Sequence, residues 1–299
     1  MDARDDFLKS RATGIGGSDA AAILGLSRWK SPFQVYQEKR GEAAQTPDNA
    51  SMRWGRYLEP VVRQAYADDT GRAVRLPDGL VRHQQHTFMI ANLDGVTDDG
   101  RVVEIKTART SQGWGEPGSD QVPQEYLLQV QHYMAVTGLV VADVAVLIGG
   151  SDFRLYEVPA DKELQDMLIS AEAEFWSCVQ SGYPPEPTSY ADMQAKFGRS
   201  SRSDSVLADA DVIDALRAIR DLTEQSKSID SRIEDAKAIV MSAMGEFDTL
   251  IDASGAVLAT WKASAPAKRL DSAALKDAHP DLYQQFIKTG EPSRRFLIK

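Results

Sequence analysis

The segment that most constrains the fold is residues 92–108, NLDGVTDDGRVVEIKTA. With the residues just before it, this segment predicts two strands, 87–95 and 101–107, joined by a tight turn. The run Thr97-Asp98-Asp99-Gly100 has the composition of a hairpin turn. Side chains two residues apart in a strand face the same way. We therefore expect Glu104 and Lys106 on one face of the second strand, with the apolar residues beside them on the other. The hairpin would bring Asp94, ten residues before Glu104, alongside this pair.

Two carboxylates and a lysine on one hairpin indicate a metal-dependent site. Asp94, Glu104 and the backbone carbonyl of Ile105 would form an oxygen-rich pocket that suits Mg²⁺, which keeps several waters and takes one or two protein carboxylates. The ammonium of Lys106 would then orient an attacking water and stabilise charge on a scissile phosphate. The same spacing also arises by chance, and a Glu-x-Lys pair on an exposed strand is commonly a solvated surface. The surrounding sequence must decide between these two interpretations.

Around this hairpin, residues 1–186 alternate between helical and strand-like patterns, which predicts an α/β (α+β) core with a mixed central sheet flanked by helices. Predicted helices cover 31–41, 55–70, 122–138 and 161–181. Residues 187–205, rich in proline, serine and charge, are predicted to be a linker. Residues 206–299 are predicted to form an extension. It would contain one long coiled-coil-like helix or a helical hairpin, followed by a β-hairpin and a short helix.

Composition narrows the function classes. The net charge of −10 argues against a protein that coats nucleic acid through a basic face. It leaves room for a nuclease with a small basic channel. Cys178 is the single cysteine, which excludes an internal disulfide and a cysteine-based zinc site. The sequence shows no apolar run long enough to span a bilayer and no signal-peptide core, so we expect a cytoplasmic protein without a membrane partner.

Five motifs, in the order RATGIGGSDAAAILGLS, WGRYLEP, NLDG, VEIKT and YLLQVQHYM, resemble a known family. They are similar to the YqaJ-type viral recombinase or phage lambda exonuclease family, within the PD-(D/E)xK nuclease superfamily. The resemblance covers about residues 8–181 and implies a restriction-endonuclease-like core. It implies no secure role for residues 200–299.

The resemblance also implies roles for individual residues. It assigns Asp94 and Glu104 as metal ligands and Lys106 as the catalytic lysine. Glu59 matches a helical glutamate that helps to hold the metals, often through water, and Gln129 matches a glutamine on the helix after the hairpin. The implied cofactor is Mg²⁺, as two ions, with Mn²⁺ able to substitute.

Taken without the family, several of these positions have simpler explanations. Glu59 lies four residues before Arg63, which favours a surface ion pair on a helix. Gln129 interrupts an apolar helix face, so its amide needs a partner, which the active-site lysine or DNA would supply. His132 is expected to be a buried, hydrogen-bonded histidine, although it and Tyr133 remain candidate site residues.

Two further residues match positions that bind a terminal 5′-phosphate in lambda-type exonucleases, namely Arg11 and Ser18. Ser18 or Asp19 is predicted to cap a short helix after the glycine-rich turn. An arginine fork beside a helix N-terminus with a hydroxyl cap is an anion site, and the glycines between them would let the backbone approach a phosphate. Trp29, Trp54 and Trp114 are candidates for stacking on unpaired bases. Core packing is favoured for Trp54, and Trp114 is predicted to be a mobile loop residue near the site.

The leading hypothesis is a Mg²⁺-dependent 5′→3′ exonuclease that degrades one strand of duplex DNA from 5′-phosphorylated ends in phage-type recombination. The resemblance implies a homo-oligomer, including a ring-shaped trimer, and a single-strand annealing protein as partner. Two alternatives stay open. One is a PD-(D/E)xK phage-type endonuclease, against which Arg11 and Ser18 argue. The other is a non-catalytic DNA-binding or assembly module, against which the complete set of carboxylates and lysine argues.

Overall fold

The computed structural model of the chain describes residues 10–43, 49–199, 202, 204–265, 270–288 and 294–298. The chain divides into two compact units, Met1–Phe197 and Gly198–Lys299. The strands of the first unit are β1 (Ile15–Gly16), β2 (Val74–Arg75), β3 (Val81–Arg82), β4 (Met89–Ala91), β5 (Gly95–Thr97), β6 (Val102–Ala108), β7 (Val141–Ile148) and β8 (Asp152–Pro159). Its helices are α1 (Gly17–Ile23), α2 (Pro32–Arg40), α3 (Ala50–Thr70), α4 (Gln124–Thr137), α5 (Lys162–Ser181) and α6 (Tyr190–Phe197).

The central sheet is mixed, as predicted. Its strand order is β2-β5-β6-β7-β8, in which β6 and β7 are parallel and the other pairs are antiparallel. A parallel pair needs a long crossover, and the connection from β6 to β7 contains α4. A second, three-stranded sheet has the order β1-β4-β3. The α/β class with helices around a mixed sheet is therefore confirmed.

Strands β6 and β7 are almost continuously apolar because both of their faces are covered. On one face, Val102 and Val144 pack in the same cluster as Met134 of α4. On the other, Val103 packs with Tyr66 of α3. The sheet thus lies between two helices, and the polar residues of β6 that face α4 are enclosed with it.

The predicted single strand over residues 87–95 is split in the structure. Its first part is β4, in the three-stranded sheet, and its second part is β5, in the central sheet. The two sheets meet at residues 92–94, where the chain leaves one and enters the other. The turn after β5 is as predicted, with Gly100 at a φ of 82°. The break has a functional consequence, because it releases Asp94 from strand pairing.

Helix α3 is longer than predicted, since it begins at Ala50 rather than at Gly55. The side chain of Asn49 accepts a hydrogen bond from the Met52 N–H at 2.9 Å, which caps the earlier start. Pro60 lies inside the helix and is tolerated there although it lacks an N–H.

The segment predicted to be a linker, 187–205, contains helix α6. Asp192 of this helix is buried, and it accepts a hydrogen bond from the Ser31 hydroxyl at 2.7 Å. Its other carboxylate oxygen accepts from the backbone N–H groups of Thr188 and Ser189, both at 3.1 Å. The first unit consequently extends to Phe197 rather than ending at residue 186. The sequence did not indicate that Asp192 is buried, because it is a charged residue in a polar segment and its partner Ser31 lies 161 positions away.

The second unit contains α7 (Ala210–Met244), the hairpin strands β9 (Thr249–Ile251) and β10 (Val257–Thr260), and helices α8 (Ser272–Ala278) and α9 (Pro280–Phe286). Of the predicted alternatives, α7 is one continuous helix rather than a helical hairpin. The β-hairpin is also as predicted, and Gly255 in its turn has a φ of 85°. None of the helices in the described ranges has the length and apolar character needed to cross a membrane.

Candidate active site

The break between β4 and β5 places Asp94 against the next strand of the hairpin. One carboxylate oxygen, Oδ2, accepts a hydrogen bond from the Ile105 N–H at 2.9 Å. The following residue must be glycine, because a Cβ atom at Gly95 would overlap Cγ1 of Val74. The Asp-Gly pair is thus a close approach between strands that leaves a carboxylate beside β6.

Glu104 lies at the centre of the site and is 1% exposed. Its Oε1 accepts a hydrogen bond from Gln129 Nε2 at 2.7 Å and is ion-paired with the Lys106 ammonium. Its Oε2 is buried and has no hydrogen-bond partner among the described residues. Burial, with the neighbouring Asp94 carboxylate adding to it, raises the pKa of Glu104 to about 8. Such an oxygen is costly to leave unsatisfied, so it indicates that a cationic ligand belongs there.

Lys106 remains charged in this environment. Burial lowers the pKa of its ammonium, but the Glu104 and Asp94 carboxylates outweigh that effect and the net shift is upward. The ammonium lies 4.8 Å from the centre of the Tyr126 ring, a cation–π distance. Tyr126 was not predicted, although it lies three residues before Gln129 on α4 and so shares a helix face with it.

Glu59 brings a third carboxylate to the site. It forms the predicted ion pair with Arg63, and Arg63 also donates through Nε to the Asp94 carbonyl oxygen at 2.8 Å. Because Arg63 contacts both Glu59 and Asp94, this ion pair keeps Glu59 next to the site. Burial, and then the Asp94 carboxylate, raises the pKa of Glu59.

These groups line a single cleft of about 540 Å³. The lining includes Glu59, Asp94, Glu104, Ile105, Lys106 and Gln129. It also includes Arg11 and Ser18, the predicted phosphate-binding pair, together with Tyr133. Residues from the start of the first unit and from the central hairpin thus share one solvent-filled space.

Arg11 is held in place by a buried ion pair. Its guanidinium donates to the Ser18 hydroxyl at 2.7 Å and to Asp19 Oδ1 at 3.1 Å. The other oxygen of Asp19 pairs with the Lys39 ammonium at 2.7 Å, and Lys39 also donates to the Arg11 carbonyl at 2.9 Å. Burial alone would raise the pKa of Asp19, but the Lys39 and Arg11 cations hold it down at about 2. The arginine is therefore positioned by an aspartate that stays ionised.

The glycine-rich turn lines the cleft, and one of its glycines also has a packing role. A Cβ atom at Gly17 would lie 2.6 Å from Tyr133 Cε1 and 2.9 Å from the Gln129 carbonyl, so the glycine allows α1 to pack closely on α4. Ser18 does not cap α1, because the N-cap is Gly16 and its N–H donates to Asp19 Oδ2 at 3.1 Å. Of the two predicted capping residues, Asp19 therefore contacts the N-cap and Ser18 does not, and the Ser18 hydroxyl instead contacts Arg11.

His132 lies outside the residues that line the cleft. Its Nε2 donates to the Ile90 carbonyl at 3.0 Å, and its Nδ1 lies 2.8 Å from Glu172 Oε1. Both partners are buried with it, and all three groups lie in the interior of the first unit. The structure thus gives this residue a packing role.

The three tryptophans differ in their surroundings. Trp114 lies in a loop, as predicted, but it is half-buried and packs against Tyr126 and Tyr156, with ring centroids 5.5 and 5.1 Å away. Trp54 is 57% exposed rather than part of the core. Trp29, 72% exposed, lines the cleft. A single sequence cannot distinguish these environments, because each depends on what packs beside the ring.

The residues at the centre of the cleft fit a hard divalent cation. Asp94, Glu59 and Glu104 offer only oxygen donors, the pKa of each is raised, and Glu104 Oε2 lacks a partner. In the described residues, no three acidic, histidine or cysteine side chains already converge as a complete ligand set. Mg²⁺ needs only one or two carboxylates and keeps several waters, so this arrangement suits it better than an ion that needs a full protein cage.

A pH experiment tests the buried state of Glu104. Its usual pKa of 4.5 applies to the unfolded chain, whereas the folded value is about 8. Protonated Glu104 therefore contributes stability that is present below pH 4.5 and is lost as the pH rises through 8. Without divalent metal, we expect the free energy of unfolding to fall over this window, and Glu104→Gln to reduce the fall.

The measurement is urea unfolding at pH 5 and pH 8.5 in the presence of a chelator. Substituting the exposed Glu174 with glutamine is the matched control and should leave the pH dependence unchanged. Equal pH dependence in the wild type and Glu104→Gln would contradict the buried, protonated state.

The chain is similar to a family model, to solved structures and to a curated relative. Residues 6–140 match the model of the YqaJ-like viral recombinase domain. Among solved structures, the alkaline exonuclease LHK-Exo from Laribacter hongkongensis has 20% identity and a TM-score of 0.49, over 60% of this chain and 94% of that one. A phage-related exonuclease from Haemophilus somnus 129PT has 12% identity and a TM-score of 0.44, over 59% of this chain and 99% of that one.

The chain is also similar to a curated protein, "Uncharacterized protein YqaJ" of Bacillus subtilis (strain 168). The two are 31% identical over 305 residues, and the alignment covers 99% of this chain and 94% of that protein. A similarity at this level over nearly the whole length shows that the chain belongs to the YqaJ-like viral recombinase family.

Proposed function

We propose that this chain is a metal-dependent nuclease that degrades one strand of duplex DNA in the 5′→3′ direction from 5′-phosphorylated ends. One observation carries the proposal. The carboxylates of Glu59, Asp94 and Glu104 (the last with an unsatisfied buried oxygen), the charged Lys106 and the Arg11–Ser18 pair all line the same cleft. The residues proposed to hydrolyse DNA and those proposed to recognise its 5′ end therefore line the same cleft.

The chain's own residues account for the positioning in the reaction. Asp94, Glu104 and the Ile105 carbonyl would hold the first Mg²⁺ or Mn²⁺, and Glu59 would help to hold a second. When bound, a divalent cation supplies Lewis-acid stabilisation of the charge that develops on the phosphate. Lys106 would orient the attacking water, which its ammonium can do because Glu104 and Tyr126 hold it in the cleft. Gln129 keeps Glu104 in place through its 2.7 Å hydrogen bond.

Recognition of the end would fall to Arg11 and Ser18. A guanidinium presents planar N–H donors that match phosphate oxygens. Asp19 and Lys39 hold this guanidinium in a set orientation, which lowers the entropy that binding a phosphate would otherwise cost. An endonuclease has no use for such a pocket, so this pair favours action at ends.

The test compares three forms of one DNA sequence, namely a linear duplex with 5′-phosphates, the same duplex with 5′-hydroxyls, and a covalently closed circle. With Mg²⁺ we expect mononucleotide release to be fastest from the 5′-phosphorylated form, with the closed circle left intact. Chelation should stop all release. Nicking of the circle as fast as the linear form would support the endonuclease alternative, and binding without cleavage of any form would support the non-catalytic module.

In this proposal the substrate is a double-stranded DNA end, and the setting is phage-type recombination in the cytoplasm of a bacterial cell. The single-strand annealing partner and the ring-shaped oligomer are inferred from the family resemblance. An acidic protein that binds a polyanion must rely on a local basic lining, which Arg11, Arg56 and Lys106 provide in the cleft.

A further inference from the structure

Helix α7 presents a row of large apolar side chains to solvent. A helix in water normally buries its apolar stripe against another element. Here the exposed fractions range from 39% to 63% for Val212, Ile219, Leu222, Ile229, Ile233 and Val240. The helix is 35 residues long and carries none of the candidate catalytic groups. A function for this face must therefore come from something that covers it.

Six of the large apolar residues of α7 fall on a seven-residue repeat, which one polar residue, Ser226, interrupts. Counting from Val212 as position a, the a residues are Val212, Ile219, Ser226, Ile233 and Val240, and the d residues are Ala215, Leu222, Ile229, Ala236 and Ala243. A heptad repeat sustained in this way produces the seam of a left-handed coiled coil. The partner is consequently expected to be another helix with a matching seam.

We propose that the partner is α7 of a second copy of this chain, paired in the antiparallel direction. When the two helices run in opposite directions, a residues of one copy oppose d residues of the other. Val212 then meets Ala243, Ile219 meets Ala236, and Val240 meets Ala215. Each of these layers combines one large and one small side chain, which is how facing positions fill space evenly.

The parallel arrangement is worse in packing. It would place Ala215, Ala236 and Ala243 each against an identical alanine, while the large a residues would also face their own copies. Layers made only of alanine leave unfilled space, and unfilled space in a core costs free energy. The seam of α7 therefore complements its own reverse better than it complements itself in parallel.

Charge beside the seam favours the same direction. In a parallel pair, the g residue Arg232 would lie beside the e residue Lys237 of the other copy, and this repulsion would occur twice. In the antiparallel pair, Arg232 lies opposite Gln225 and Lys237 lies opposite Leu216. No like charges then meet along the described helix, so both shape and charge select one orientation.

Disulfide trapping in the full-length chain tests the direction of pairing. In a Cys178→Ser background, Val212→Cys and Ala243→Cys are made in separate chains that carry tags of different size. In the antiparallel pair, residue 212 lies about 46 Å from its own copy, because 31 residues separate positions 212 and 243 at about 1.5 Å each. Neither variant alone should form a covalent dimer under mild oxidation, whereas their mixture should.

Ser231→Cys, on the outer face of the helix, controls for random collision and should not cross-link in any mixture. Covalent dimers of Val212→Cys alone would indicate parallel pairing and overturn the proposal. Absence of cross-linking in every combination would overturn self-pairing as a whole and leave the face to another protein or to the rest of the chain.

A second pair of variants separates loss of pairing from loss of folding. Adding Leu222→Glu to both chains should lower the yield of the mixed disulfide at least about tenfold, because a buried, unpaired charge would enter the seam. Ala238→Glu introduces the same charge on the outer face and should leave the yield unchanged. An equal yield with both variants would contradict the seam. Retained digestion of DNA would show that the first unit remains folded, and the pairing itself does not depend on the proposed function.

Discussion

Replacing Lys106 with methionine is expected to slow digestion of linear duplex DNA by about 10³-fold, the typical cost of removing one preorganised group that stabilises developing charge. The ammonium carries the positive charge that faces Glu104 and Asp94, and its pKa is held above the usual value by these carboxylates. Methionine has a similar length and makes favourable contacts with an aromatic ring. It can therefore occupy the space beside Tyr126 while it removes the charge.

The variant should remain folded, which makes the loss interpretable. Without the ammonium, Glu104 can stay protonated at neutral pH, because burial and Asp94 already raise its pKa to about 8. Lys162→Met is the matched control, since the Lys162 ammonium is 76% exposed and contacts only Asp166 among the described charged groups. Single-turnover digestion with Mg²⁺ and DNA binding by the same variants would separate chemistry from affinity. A loss smaller than tenfold in Lys106→Met would contradict the assignment of the active site.

Replacing Arg11 with methionine should remove the preference for a 5′-phosphate, with a loss in discrimination of about 100-fold. The guanidinium is held towards the cleft by Ser18 and Asp19, so its charge is in position before DNA arrives. Digestion from 5′-hydroxyl ends should change little, because those ends lack the anion. Arg11→Lys should keep part of the preference, since it retains the charge but loses the planar fork.

The readout is the ratio of initial rates on 5′-phosphorylated and 5′-hydroxyl ends. Arg40→Met removes an arginine on the neighbouring helix α2, where its partner is Glu42, and should leave the ratio unchanged. If Arg11→Met lowers both rates equally, the arginine acts only as a structural partner of Asp19. In that case recognition of the 5′-phosphate belongs to other groups, although the nuclease itself could remain.

Local rules account for the parts of the structure that the sequence predicted correctly. Four of the helices end at a glycine in the left-handed conformation, namely Gly41, Gly71, Gly138 and Gly182. The alternation of β6 places Val103 against α3 and Glu104 against α4. Such features depend only on residues that are close in the sequence and on the geometry of a strand or helix. A single sequence is therefore sufficient to predict them. The family was likewise predictable, because five motifs in one order carry its signal.

The candidate site, in contrast, depends on contacts between residues that are distant in the chain. The sequence by itself determined that Asp94, Glu104 and Lys106 share a hairpin, and hence which chemistry they suit. Only the tertiary structure decided that Gln129 bonds to Glu104, that Arg63 joins Glu59 to Asp94, and that Lys39 orients Arg11 through Asp19. The same holds for α6, which anchors Asp192 on Ser31 within a segment that resembled a linker. The physical reason is that a buried polar group takes whichever partner packing brings within hydrogen-bond distance, and sequence spacing does not specify that partner.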